Sequence, residues 1–247
     1  MTASGWTWLA AAGVLAVLDW IAVGKAARRF ERIAKPLVMV ALIAVVITAM
    51  ASDVRSWLLA ALAFGLVGDL ALAFEPRPVE VISAPGPVRT LLPAGATPRT
   101  QTIPAEVGTD RESPTFMIGL AAFLIGHVCY LGALWSYRID RLSVVFGLLL
   151  VLMALLSFGY RIIAGAHVQG GPAMTIGVTL YMAALGSVVV LGVGTAQLWV
   201  AVGVVLFALS DLMLGYDRFV QRRTWAPVAV IVTYHVAQAL IVLGLVG

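Results

Sequence analysis

Between Ile162 and Ser210 the chain carries no Asp, Glu, Lys or Arg. One helix of that length would be about 70 Å long at about 1.5 Å per residue, more than twice the roughly 30 Å hydrocarbon core of a bilayer. The run must turn back on itself, and Gly192-Val193-Gly194-Thr195-Ala196-Gln197, with two glycines among polar residues, is the natural place. The whole chain has the same character. Of 247 residues 62% are hydrophobic and 11% charged, with mean hydropathy +1.02, whereas a soluble domain has about 25% charged residues. Cutting at charges and Gly/Pro breaks gives eight expected spans, roughly 6–24, 36–52, 56–74, 115–137, 142–160, 173–191, 197–215 and 225–246. Each has about the 17 to 25 residues that a crossing helix needs. None alternates with period two, so strands are set aside. The expected fold class is an all-α polytopic membrane protein, one transmembrane domain over residues 1–247.

The sixteen basic residues fix an orientation. Thirteen fall in the first, third, fifth and seventh connections, against Arg55, Arg138 and Arg141 in the others. The positive-inside rule places the first group in the cytoplasm and both termini outside, in what we expect to be a bacterial cell membrane. The net charge of +4 then follows from topology and attraction to anionic headgroups, and calls for no nucleic-acid partner. The connection 75–114 holds eight of the eleven prolines, a composition that cannot bury a core, and reads as a cytoplasmic linker. Met1 to Leu18 lacks a basic n-region and a small-residue cleavage site, so it is kept as a helix. The single cysteine, Cys129, lies inside the fourth span and forms no intrachain disulfide.

Within this apolar frame two aspartates stand out, Asp69 and Asp211, each in the pattern small-Asp-Leu-x-Leu-x-aromatic ending at Phe74 and Tyr216. A carboxylate near a helix centre costs about 2.5 to 3.5 kcal/mol on insertion scales, less near an end, and marks a functional site by default. Counted from the expected span ends, Asp69 lies about 8 Å and Asp211 about 6 Å from the cytoplasmic side, with Asp19 and Lys35 at the same level. His127, Tyr181 and His235 lie deeper, and Tyr130 is one turn beyond His127 on the same face. Facing inward, these residues would line a pocket open to the cytoplasmic headgroup region. Asp19 has a structural reading, a bond to a neighbouring helix or to Lys35; for Asp69 and Asp211 together, one lysine leaves one acid too many. His235 leans towards packing. The third helices of the two halves carry the aspartates and the fourth carry His127-Val128 and His235-Val236, a hint of two parallel four-helix repeats. No HxxxH or HxxE spacing puts metal ligands on one helix face, and no metal or cofactor is expected.

Taken together these motifs resemble the YhhN family, whose animal members are lysoplasmalogenases. The resemblance rests on Ala34-Lys35-Pro36-Leu37, on Phe64 to Asp69, and on Gly119 to His127 with Tyr130. It continues through Tyr181, Phe207-Ala208-Leu209-Ser210-Asp211, Arg218-Phe219, Tyr234 and Gln238. Two departures are a longer connection after Asp69 and the histidine at position 235. The resemblance implies a membrane hydrolase acting on a lysophospholipid within the bilayer, cleaving the vinyl ether of a lysoplasmalogen to a fatty aldehyde and a glycerophospho-amine. It implies catalytic roles for Asp69, Asp211 and His127, and substrate contacts from Lys35, Tyr130, Tyr181, Ser210, Tyr234 and Gln238. Lys35 would bind phosphate or hold one aspartate ionised. The chemistry suits two carboxyl groups, since protonating the outer alkene carbon creates an oxocarbenium ion like that of glycoside hydrolysis. The competing reading, from the same acids, is a proton- or ion-coupled transporter or a lipid-binding membrane protein.

Overall fold

The computed structural model describes residues 1–49, 54–75 and 113–247. Apart from its ends, the Pro-rich connection 75–114 lies outside the described residues. Eight α-helices follow in order: α1 (Ala3–Gly24), α2 (Arg28–Ala49), α3 (Val54–Ala73), α4 (Pro114–Trp135), α5 (Arg141–Ala154), α6 (Tyr160–Gly194), α7 (Leu198–Phe219) and α8 (Ala226–Val246). A wide π turn, Leu155–Gly159, joins α5 to α6 without a break. In place of eight separate spans, seven segments among the described residues are long and apolar enough to cross a bilayer, and the continuous run Arg141–Gly194 is one of them.

The loop expected after Tyr160 is absent because nothing there breaks a helix: Ile162 and Ala166 bury against Phe116 and Phe219, and no proline intervenes until Pro172. The run bends instead at Gly171, whose φ of 65° and ψ of −158° suit a residue without a Cβ. It folds back there. The Asp140 amide donates to the Gly194 carbonyl at 2.8 Å, Gly147 lies against Val190, Gly186 against Val151, and the His167 ring against the Thr175 hydroxyl at 3.0 Å. Partners that close in on residue 171 from both sides are the mark of an antiparallel hairpin.

Two other boundaries move. α2 begins at Arg28, ahead of the expected start at Pro36; the proline withdraws one N–H from the ladder, yet the helix runs on through it. The early turns also carry Arg32, whose Nε donates to the Ala73 carbonyl at 3.1 Å and caps the end of α3. α7 runs to Phe219, four residues past the expected end, so Asp211 lies eight residues, about 12 Å, from the helix terminus. The turn expected at 192–197 is present: α6 ends at Gly194 and Ala196 takes a positive φ of 54°.

The core is built by α2, α3, α4, α7 and α8 through Val38, Leu42, Leu58, Leu62, Leu134, Val204 and Ile241, all buried. α5 turns Leu142, Phe146, Leu149 and Met153 outward, an apolar exterior suited to lipid. Without a hydrophobic drive between helices in lipid, small residues set how closely they pack. At Gly203 a Cβ would stand 2.9 Å from the Ile241 nitrogen, so α7 and α8 touch backbone to backbone there. Along the same pair of helices Tyr234 of α8 packs against Phe207 of α7, ring centroids 5.8 Å apart.

Candidate active site

α2 and α8 converge on Asp69. Lys35 Nζ lies 3.0 Å from its Oδ1, and the Tyr234 hydroxyl donates to its Oδ2 at 3.0 Å. Both groups favour the ionised carboxylate, a cation because of its charge and a hydroxyl because it donates. Behind Tyr234, the Met39 sulfur lies 3.6 Å from the same hydroxyl. Asp19, the other candidate partner of Lys35, is fully buried, and neither of its oxygens has a hydrogen-bond partner among the described residues. Lys35 pairs with Asp69.

α4 and α6 converge on Asp211. The Tyr181 hydroxyl donates to Oδ2 at 2.6 Å, and His127 Nε2 lies 3.7 Å from the same oxygen. The His127 ring is held edge-on to Tyr181, centroids 4.9 Å apart, and beside Phe207 at 5.1 Å. Each of the two carboxyl groups is thus held from two neighbouring helices. Their settings differ. The Asp69 side chain is 1% exposed and tied to a cation, while that of Asp211 is 10% exposed and faces an apolar cavity.

Tyr130, Gln238, Ser210 and His235 make hydrogen bonds between helices. The Tyr130 hydroxyl donates to Gln238 Oε1, joining α4 to α8 beneath Phe207. Ser210 donates to the Val230 carbonyl at 3.0 Å and fastens α7 to α8 one residue before Asp211. His235 accepts from Trp20 Nε1 at 3.2 Å, tying α1 to α8. Among the described residues no three His, Cys, Asp or Glu side chains gather as a metal site would require.

Two cavities share Leu72, Phe116, Leu214 and Arg218 in their walls. A narrow one, about 60 Å³, runs between α4, α6 and α7, with Leu120, Phe123, Ile162, Val178 and Leu185 as walls and Tyr181, Asp211 and Arg218 as its polar groups. A wider vestibule, about 490 Å³, lies at the end of the bundle that carries Lys35, Glu31, Glu75, Asp217, Arg222 and Arg223. Arg218 lines both cavities. It sits over the Phe116 ring, 3.5 Å from its centroid, and pairs with Glu75 at 2.8 Å. Sequence reasoning counted Arg218 only for topology and as part of a motif; its separation of seven residues from Asp211, two turns along one face, is the signal that links them.

Curated relatives match about half of the chain. A lysoplasmalogenase of Mycobacterium bovis is 36% identical over 137 residues, covering 52% of this chain and 50% of that protein. The lysoplasmalogenase TMEM86B of Sus scrofa is 33% identical over 131 residues, 52% of this chain and 53% of that protein. The human TMEM86B is 32% identical over 131 residues, with 52% and 53% covered. The chain thus spans about half the length of the curated relatives it matches. No solved structure matches it. The sequence profile of the YhhN family matches residues 30–85 and 105–245, a stretch that takes in Lys35, both aspartates, both tyrosines that hold them and Arg218, and the chain belongs to that family.

Proposed function

We propose that this protein hydrolyses the vinyl ether of lysoplasmalogen-type lysophospholipids, releasing a fatty aldehyde and a glycerophospho-amine. The observation that carries the reading is the pair of unlike carboxyl groups, one tied to a cation and the other lining an apolar cavity that shares its neck, at Arg218, with a charged vestibule. An amphiphile fits that junction, with its chain among Leu120, Val178 and Leu185 and its headgroup among charges of both signs. The relatives' name, lysoplasmalogenase, points the same way.

On this reading the two acids take different roles, in keeping with their different settings. Asp211 faces the cavity and delivers its proton to the outer vinyl carbon; Tyr181 occupies Oδ2 and leaves Oδ1 to carry that proton. The C–H bond forms as the alkene π pair is used, and the ether oxygen lone pair closes an oxocarbenium ion. Asp69, kept anionic by Lys35 and Tyr234, stabilises that cation. Water adds to the cationic carbon and returns a proton to the Asp211 carboxylate. The hemiacetal then splits into aldehyde and glycerol hydroxyl. His127, 3.7 Å from Asp211, orients that carboxyl group and the water.

The finer topology belongs to the same reading. With the run Arg141–Gly194 folded back at Gly171, the chain crosses eight times, as two parallel four-helix repeats. Helix usage around the acids supports this: Asp69 of α3 is held from α2 and α8, and Asp211 of α7 from α6 and α4, each helix matched by the one four places along.

The test is aldehyde release by purified protein in detergent from a vinyl-ether lysolipid and from its acyl counterpart. Turnover of the first alone supports the hydrolase; ion-dependent flux without turnover supports transport. Asp69→Asn and Asp211→Asn keep shape while removing acid and charge, and each should cut kcat by about 10² to 10⁴. The double variant should be scarcely slower than either, as expected of groups acting together. Near-normal turnover in either single variant would falsify the two-carboxylate mechanism.

A further inference from the structure

The vestibule holds four cations, Lys35, Arg218, Arg222 and Arg223, and they are not equivalent. Lys35 is bound to Asp69. Arg223 pairs its guanidinium with Gln221 and its amide with Asp217, and it is exposed, as is Arg222. Of the residues that line both cavities, Leu72, Phe116, Leu214 and Arg218, only Arg218 is charged. It stands at the neck, its guanidinium carbon over the Phe116 ring and one of its nitrogens paired with Glu75.

Spacing along α7 gives that position a meaning. Arg218 follows Asp211 by seven residues, a rise of about 10 Å with nearly the same azimuth. In a 1-alkenyl lysophospholipid, seven bonds separate phosphorus from the outer vinyl carbon, an extended reach of about 8 to 9 Å at about 1.2 Å per bond. With the vinyl carbon at Asp211, the phosphate arrives at Arg218. A planar guanidinium suits a phosphodiester, which it meets with two parallel N–H donors.

Resting on the hydrolase reading above, we propose that Arg218 is the residue that reads the substrate's phosphate, and that the Glu75 carboxylate occupies the same guanidinium until the phosphate displaces it. Asp211 and Arg218 together then act as a ruler for one glycerol unit. Lipids with a vinyl ether but no phosphate, or with phosphate at another distance, are poor substrates.

The pair makes opposite predictions for its two members. Aldehyde release is measured from a 1-alkenyl lysophospholipid and from the 1-alkenylglycerol of the same chain, and the ratio of the two kcat/KM values is compared across variants. This ratio is independent of how much of each preparation is folded. In Arg218→Ala it should fall by about 10- to 100-fold, the worth of a charged hydrogen bond. Arg218→Lys should restore only part of it, since the fork is lost. Glu75→Gln should lower KM for the lysophospholipid severalfold, because its competitor is weakened. An unchanged ratio in both Arg218 variants overturns the proposal, and so does a Glu75→Gln variant that weakens the lysophospholipid as Arg218→Ala does, the mark of a purely structural ion pair. Those results leave the hydrolase standing; release from neither lipid by the parent protein removes the hydrolase reading and the ruler with it.

Discussion

Asp69 and Asp211 are each held by one tyrosine hydroxyl, yet the two bonds serve opposite ends. On the proposed mechanism Tyr234 adds to the stabilisation of a carboxylate that Lys35 already neutralises, while Tyr181 fixes which oxygen of Asp211 is free to carry a proton. Tyr234→Phe should therefore be the milder change and Tyr181→Phe the more damaging. We expect up to about tenfold in kcat for the first and about 10²-fold for the second, with KM little altered, by steady-state aldehyde release. Equal losses would mean that the two acids share one role. Both aspartates were legible in the sequence because a charge inside an apolar run needs a reason. The partnership of Lys35 with Asp69 rather than Asp19 was not, since three side chains at a similar level on neighbouring helices are sorted only by how those helices rotate. Ser210 and Gln238 show the same limit: both carry the family resemblance, yet their polar groups tie α7 to α8 and α4 to α8.

The hairpin of α5 and α6 is the least legible element, and its two ends explain why. At Gly171 a glycine–proline pair marks the reversal openly. The stretch 160–170 gives no such mark: it has one charge, Arg161, which suggests a loop, while its burial against α4 and α7 keeps it helical. At the other end, outside the membrane-spanning segments, Asp140 accepts from the Ser143 amide and hydroxyl at 2.8 Å each, and its own amide donates to Gly194. Those two bonds from Ser143 hold the Asp140 carboxyl below its ordinary range. A group whose folded value is depressed adds stability above its unfolded value and loses it as pH falls through the folded one. Asp140→Ala should thus lower Tm at pH 7, by loss of the cap, and the gap from the parent protein should close as the pH falls below about 4. Thermal unfolding at a series of pH values checks this. A gap that persists in acid would mean the Asp140 side chain acts by packing rather than by charge.

At the scale of the whole molecule, the proposed chemistry lies at the end of the bundle that carries most of the charge. Lys35, Glu75, Arg218, Arg222 and Arg223 line one vestibule. Arg138 and Arg141 lie in and beside the α4–α5 connection, on the side that the alternation of helices places opposite. The sequence makes that separation visible without a structure, because the positive-inside bias is written in connections, not in packing. It also sets an expectation for which leaflet feeds the proposed reaction. With thirteen of the sixteen basic residues in the odd-numbered connections, the positive-inside rule predicts a vestibule that faces the cytoplasm and a lipid that enters from the inner leaflet. Cys129 is the chain's one cysteine and is buried, so a Cys129→Ala background permits single labels. In intact cells an impermeant maleimide should reach Arg138→Cys and leave Arg222→Cys unlabelled until the membrane is opened. The reverse pattern would place the vestibule outside and make the outer leaflet its source of lipid. Labelling of both in intact cells would mean that the chain inserts in two orientations, which so strong a charge asymmetry disfavours. On the proposed chemistry, in which aldehyde and glycerophospho-amine part at Asp211, the expected pattern also sends the two products different ways, the aldehyde into the inner leaflet along α4 and α6 and the water-soluble fragment out past Arg218.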